Sequence, residues 1–245
     1  MIPLRRILYY AACICLIFMA GIGTNYLLST SSSEKLLTYS LETPRRAKLK
    51  FNLPDGSIVW LNAASTLCYN NQFGITNRDL SLQGEGYFEI SKNPELPLVV
   101  VSGEAKVKVL GTKFNVQSHE SDSEFEVMLY EGCVDVESEF NNKQVEVLMA
   151  PGDIVKIDKT TGNMSQMNIS TIANQGQSRK FYFIDKKLED ITNQLERHFQ
   201  KKIVITNPQL KSIKYDAIFA NDETIEQILN YLNASQQMSI IYHDN

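Results

Sequence analysis

From Lys48 to Ile169 apolar and charged residues alternate with a period of two, and this pattern restricts the fold more than any other feature of the chain. Lys106-Val107-Lys108-Val109, Glu124-Phe125-Glu126-Val127, Val134-Asp135-Val136-Glu137 and Val155-Lys156-Ile157 each place apolar side chains on one face and charges on the other. A half-buried strand requires that arrangement. Turn signals punctuate the run at Pro54-Asp55-Gly56, Gly84-Glu85-Gly86, Asn141-Asn142, Pro151-Gly152-Asp153 and Thr161-Gly162-Asn163. Many short strands at this spacing predict an all-β domain, either sandwich-like or a short twisted β-solenoid. Gly84-Glu85-Gly86 is expected as a tight turn between strands. A phosphate loop would need a helix after it, whereas Tyr87-Phe88-Glu89-Ile90 alternates like a strand. Trp60 is expected in the core rather than as a sugar-stacking platform.

The period changes near the C-terminus. Residues 171–179 are polar and read as a linker. Phe181-Tyr182-Phe183-Ile184 reads as a short strand. Asp185 is positioned to cap a helix with Leu188, Ile191, Leu195 and Phe199 on one face. Ile203-Val204-Ile205 and Ile213 to Phe219 read as strands. Asp222 can cap a second helix carrying Ile225, Ile228, Leu229 and Leu232, and Met238 to Tyr242 closes the chain as a strand. The order β-α-β, β-α-β predicts a small α/β domain over residues 180–245.

Ile7 to Leu28 contain no charged side chain. As a helix they would extend roughly 33 Å, enough for a hydrocarbon core of about 30 Å. Tyr9, Tyr10 and Tyr26 lie near the ends, and Arg5 and Arg6 flank the start. The positive-inside bias then expects a single-pass inner-membrane anchor at 7–28, a cytoplasmic stub at 1–6, and the rest exported. Residues 29–47 read as a linker to a β domain at 48–170. The alternative is a cleaved signal peptide, against which stands an apolar run longer than a usual h-region of about 7–15 residues.

A net charge of −4 gives no basic excess for nucleic acid. There is no CxxC, and His119, His198 and His243 are scattered, so no metal site is expected. Cys68 and Cys133 could pair in an oxidising compartment. HExxH, GxSxG and GxxxxGK[ST] are absent, and no acid–base pair is marked. The expectation is a non-enzymatic chain without a cofactor.

Several motifs resemble the FecR family of anti-sigma regulators. They are Leu53-Pro54-Asp55-Gly56-Ser57, Leu61-Asn62-Ala63-Ala64-Ser65, and Arg78 with Leu82-Gln83-Gly84-Glu85-Gly86-Tyr87-Phe88-Glu89-Ile90. Val109-Leu110-Gly111-Thr112-Lys113-Phe114-Asn115-Val116 and Leu129-Tyr130-Glu131-Gly132-Cys133-Val134-Asp135-Val136 continue them in register. The tail, with Leu188-Glu189-Asp190-Ile191 and Leu195-Glu196-Arg197, resembles the C-terminal domain of Bacteroides-type FecR proteins. It is also similar to the short N-terminal domain of secretins and TonB-dependent receptors.

The resemblance implies an inner-membrane signal transducer with periplasmic domains. Such a protein receives a signal from the signalling domain of a TonB-dependent outer-membrane receptor and controls an extracytoplasmic-function sigma factor. Family members carry a cytoplasmic domain before the membrane helix; here Met1 to Arg6 stand in its place, whereas a specific interface uses about 20–30 residues a side. Either a preceding domain stands outside this sequence, or this form senses without itself holding the sigma factor. The alternative function is a periplasmic binding or cell-envelope structural protein. Some FecR-like proteins also cleave themselves between Gly and Thr, by attack of the Thr hydroxyl on the preceding carbonyl to give an ester that water opens. Gly111-Thr112 is the corresponding candidate. Its competing reading is a turn between a strand ending at Leu110 and one beginning at Phe114.

Overall fold

The computed structural model describes residues 14–21, 36–169, 181–219, 223–236 and 240–243. The chain forms two units, Met1–Leu37 and Thr38–Asn245. In the first, residues 14–21 form helix α1, with exposed side chains. Among the described residues no helix is long and apolar enough to cross a membrane. The stub 1–6 and most of the expected span at 7–28 lie outside the described residues.

The second unit begins with thirteen strands: β1 (Thr38–Thr43), β2 (Leu49–Asn52), β3 (Ile58–Leu61), β4 (Ser65–Asn70), β5 (Asp79–Glu89), β6 (Leu98–Ser102), β7 (Ala105–Val109), β8 (Lys113–Ser118), β9 (Glu124–Glu131), β10 (Val134–Phe140), β11 (Lys143–Met149), β12 (Asp153–Asp158) and β13 (Met164–Asn168). They form one curled 13-stranded sheet. One layer runs β1-β4-β5-β6-β7-β10-β11 and the other β2-β3-β5-β8-β9-β12-β13. Every pairing is antiparallel except β5 with β6. The expected all-β domain is therefore sandwich-like, with β5 as the strand common to both layers.

Gly84 is where β5 changes layers. Gln83 pairs with Thr66 in the first layer, and Gly84 pairs with Ser118 in the second. Its φ is +109°, and a Cβ there would lie 2.4 Å from Ser65 Oγ. Gly84-Glu85-Gly86 is thus not a turn between strands. The glycine lets one long strand bend and lets Ser65 approach the backbone.

Between the layers lies an apolar core that includes Val59, Leu61, Leu82, Phe88, Phe114, Phe125, Val127 and Val155. Phe88 and Phe114 stack with centroids 5.0 Å apart. One charged group is sealed beside it. Arg78 is 1% exposed, and its guanidinium pairs with Asp55. It also donates to Leu96 O at 3.2 Å, Ser57 Oγ at 3.2 Å and Ser91 O at 2.9 Å. Asp55 in turn accepts from Ser57 N and Oγ. The Pro54-Asp55-Gly56-Ser57 motif and Arg78 are therefore a structural staple.

The C-terminal part contains β14 (Phe181–Lys187), α2 (Leu188–Phe199), β15 (Lys202–Ile205), β16 (Lys214–Phe219), α3 (Ile225–Gln236) and β17 (Ile240–His243). The strand–helix order matches the expected α/β domain. The strands pair as β14 with β16 and β15 with β17, both antiparallel. Leu188, Ile191 and Leu195 of α2 pack with Ile225, Ile228, Leu229 and Leu232 of α3 in a separate core.

Three further expectations need correction, and the open question of a Cys68–Cys133 disulfide is answered. Strand β1 lies inside the segment 29–47 read as linker; only Leu41 and Thr43 of it face inward, too few to show alternation. Trp60 is not in the core: its neighbours Val59 and Leu61 are, and Trp60 points to the opposite, half-exposed face. Asp185 does not cap α2. It occupies a bulge in β14 with φ +47°, and the cap position is Lys187, which makes no side-chain cap bond. Cys68 and Cys133 are free thiols. The linker 171–179 and Asp222 lie outside the described residues.

Candidate functional site

Strand β9 is buried on both faces, unlike β7, whose lysines alternate into solvent. Phe125, Val127 and Leu129 enter the sandwich core. Glu124, Glu126 and Met128 face outward, and the C-terminal domain covers them. Met128 and Ile154 are packed by Tyr182 and Ile184 of β14.

Most of the junction is polar. Helix α2 grips the β8–β9 turn. Arg197 donates to both oxygens of Asp122, at 2.7 and 2.9 Å. Asp190 accepts from Ser123 N at 2.9 Å and from Ser123 Oγ at 2.7 Å. Asn193 donates to Ser121 O. Lys186, from β14, donates to Gln117 at 2.8 Å and lies 3.6 Å from Glu126. Lys156 reaches the other way, donating to the carbonyl of Ile184 in the β14 bulge. Burial opposes the charge on Asp122 and Glu126. The Arg197 guanidinium at Asp122, and Lys186 and Lys156 at Glu126, nevertheless hold both carboxyls below the usual range.

Beside these pairs opens a cleft of about 460 Å³, between the outer face of the second layer and α2 with β14. Glu85, Tyr87, Asn115 and Tyr130 line its sheet side, and Tyr182, Gln194 and Phe199 its other wall. Tyr87 is edge-on both to Trp60 at 5.4 Å and to Tyr130 at 5.5 Å. Lys50 Nζ sits 4.8 Å from the Trp60 ring centre. Burial raises the Glu85 carboxyl despite nearby Lys186, Arg197 and Lys48. Burial likewise pushes the Tyr87, Tyr130 and Tyr182 hydroxyls upward. Shifted groups gathered in a concave site mark it as a candidate site among the described residues.

His119, in the β8–β9 turn, also lines the cleft. Burial, then the Arg197 charge, pushes it down to about 3. An unfolded histidine titrates near 6.5, so its stabilising contribution is complete above roughly that pH and lost as pH falls toward the folded value. Stability should fall between pH 6.5 and 4 by up to about 1.4 kcal/mol per pH unit from this group. Thermal melts across that range should show the slope, and His119→Asn should flatten it. An identical slope in the variant would assign the acid sensitivity elsewhere.

The structure places Gly111 and Thr112 away from the cleft, between β7 and β8. Thr112 is buried, and its hydroxyl donates to Cys133 O at 3.0 Å. A Cβ on Gly111 would meet the Lys92 backbone at 2.7 Å, so close chain approach requires glycine here. Sequence reasoning missed Glu85, Tyr87, Asn115 and Tyr130 as a group. Glu85 and Tyr87 share one family motif, Asn115 and Tyr130 lie in two others, and polar residues inside strand-like motifs were the available signal.

Two family models match the chain: FecR protein over residues 39–135, and FecR, C-terminal, over residues 180–245. The chain belongs to the FecR family. Two crystal structures of a candidate anti-sigma factor from Parabacteroides distasonis ATCC 8503, at 1.65 and 2.50 Å resolution, share the fold of this FecR chain. Both have a TM-score of 0.74 and 21% identity. The first match covers 84% of this chain and 99% of that one, the second 85% and 100%. No curated protein matches.

Proposed function

We propose that this FecR-family chain is an anti-sigma regulator that relays an extracytoplasmic signal. In this reading residues 7–28 anchor it in the inner membrane, and the sandwich and α/β domains face the periplasm. A TonB-dependent outer-membrane receptor supplies the signal through its signalling domain, and an extracytoplasmic-function sigma factor is the output. The chain is read as having no turnover chemistry. The observation that carries the proposal is that the segments matching the two FecR models fold as one unit, the second seated on the first through α2 and β14. The similarity of the tail to receptor-type domains supports the choice of partner. Self-cleavage at Gly111-Thr112 is a separable part of the family resemblance. It would require the Thr112 hydroxyl to leave Cys133 O first.

The test is transcription from a sigma-dependent promoter in cells with and without this gene. Induction by the transported ligand should depend on the gene and be lost when residues 180–245 are deleted. Unchanged induction in both strains would overturn the regulatory reading in favour of a periplasmic binding or envelope protein.

A further inference from the structure

The cleft holds one buried acceptor that the chain leaves unfilled, Gln194 Oε1, and one carboxylate, Glu85, that has amide donors but no ion pair among the described residues. Glu85 projects from β5 away from the sandwich core, so core packing does not explain it. Among the described residues its carboxylate forms no ion pair. Its donors are amides: Asn115 Nδ2 at 3.4 Å, and the Asn62 side chain. Three cations, Lys186, Arg197 and Lys48, act on it without forming an ion pair with it, and the first two pair with other carboxylates. Arg197 is doubly bonded to Asp122, and Lys186 is held by Gln117 and Glu126. Across the cleft, Gln194 Oε1 is buried and accepts nothing. Tyrosine and phenylalanine rings wall the space, with Tyr87 and Tyr130 beside Glu85.

A carboxylate without an ion pair, one unfilled amide acceptor and aromatic walls lack one complement. It is a compact cation rich in N–H donors on a slender stem. We propose that the cleft binds a primary ammonium or guanidinium group, with Glu85 as its counter-ion and the tyrosines as its walls. Two sources share this chemistry: a lysine or arginine side chain of a partner protein, and a free organic amine. The proposal stands independently of the regulatory reading.

Trp60 is the single tryptophan, edge-on to Tyr87, and therefore a built-in reporter. The full chain in detergent would be titrated with n-butylammonium, with the peptide acetyl-Gly-Lys-Gly-amide, and with the same peptide acetylated on its lysine. Both charged probes should give a saturable change in Trp60 fluorescence at millimolar concentration, and the neutral peptide none. Glu85→Gln should weaken binding at least about tenfold, with an unchanged or higher melting temperature. Asn115→Lys, which supplies the cleft with its own ammonium, should also abolish binding and serves if Glu85→Gln fails to fold. A peptide bound about tenfold tighter than n-butylammonium would identify a partner's side chain as the source; comparable affinities would identify a free amine. Absence of saturation, equal binding of the neutral peptide, or undiminished binding by a folded Glu85→Gln or Asn115→Lys variant would overturn the proposal.

Discussion

Arg78→Met is expected to destabilise the β domain by about 3–5 kcal/mol, because it leaves Asp55 as an uncompensated charge in a dry site. The side chains are 1% and 8% exposed, so water cannot replace the lost guanidinium without opening the structure. The carbonyls of Ser91 and Leu96 lose their donor in the same change. For a unit of this size the melting temperature should drop by roughly 6–20 °C, at about 2–4 °C per kcal/mol. The double variant Asp55→Asn with Arg78→Met should cost clearly less than the sum of the singles, since each single change exposes the other's loss. Thermal denaturation followed by circular dichroism checks both statements. A drop below about 1 kcal/mol would show that the pair relaxes freely.

Arg197→Leu has a comparable cost but a different outcome. Asp122 is 2% exposed on its side chain and would be left with Gln117 as its remaining strong partner. Loss of about 3–5 kcal/mol corresponds to a change of roughly a hundredfold to several thousandfold in the docking equilibrium of the α/β domain. The junction is mostly polar, and interfaces of this kind separate without global unfolding. Hydrogen exchange should therefore accelerate at residues 121–126 and along α2, while β3, β5 and β7 keep their protection. Exchange rising equally throughout would show that docking and folding are one event. Exchanging the charges, Asp122→Arg with Arg197→Asp, should restore part of the protection.

Much of the architecture could be read from the chain. Alternation identified β7, β9, β10 and β12, and the apolar stripes of α2 and α3 carry Ile191, Leu195, Ile228 and Leu232 into one core. The motif residues Asp55 and Arg78 were visible, although their mutual bond was not, because twenty-three positions separate them. Gly84 was misread because a glycine that bends a long strand has the same local signature as one that ends it. Asp185 was misread because a bulge residue and a helix cap are both short acidic side chains at a strand–helix boundary. The cleft was illegible as a site. Its members come from β5, β8, β9, β14 and α2, and only the sheet register and domain docking bring them together.

Strands β7 and β9 show where the sequence stops deciding. Both alternate apolar and charged residues, and in both the apolar set fills the sandwich. That much follows from the period of two, since successive side chains leave a strand on opposite sides. Lys106 and Lys108 then remain in water, whereas Glu124 and Glu126 are buried against Lys156 and Lys186. Nothing in the local pattern separates the two cases. The alternation specifies that a strand has a charged face; the packing of another domain determines whether that face meets solvent, because burial of charge is tolerated only where opposite charges arrive from distant segments to pair with it.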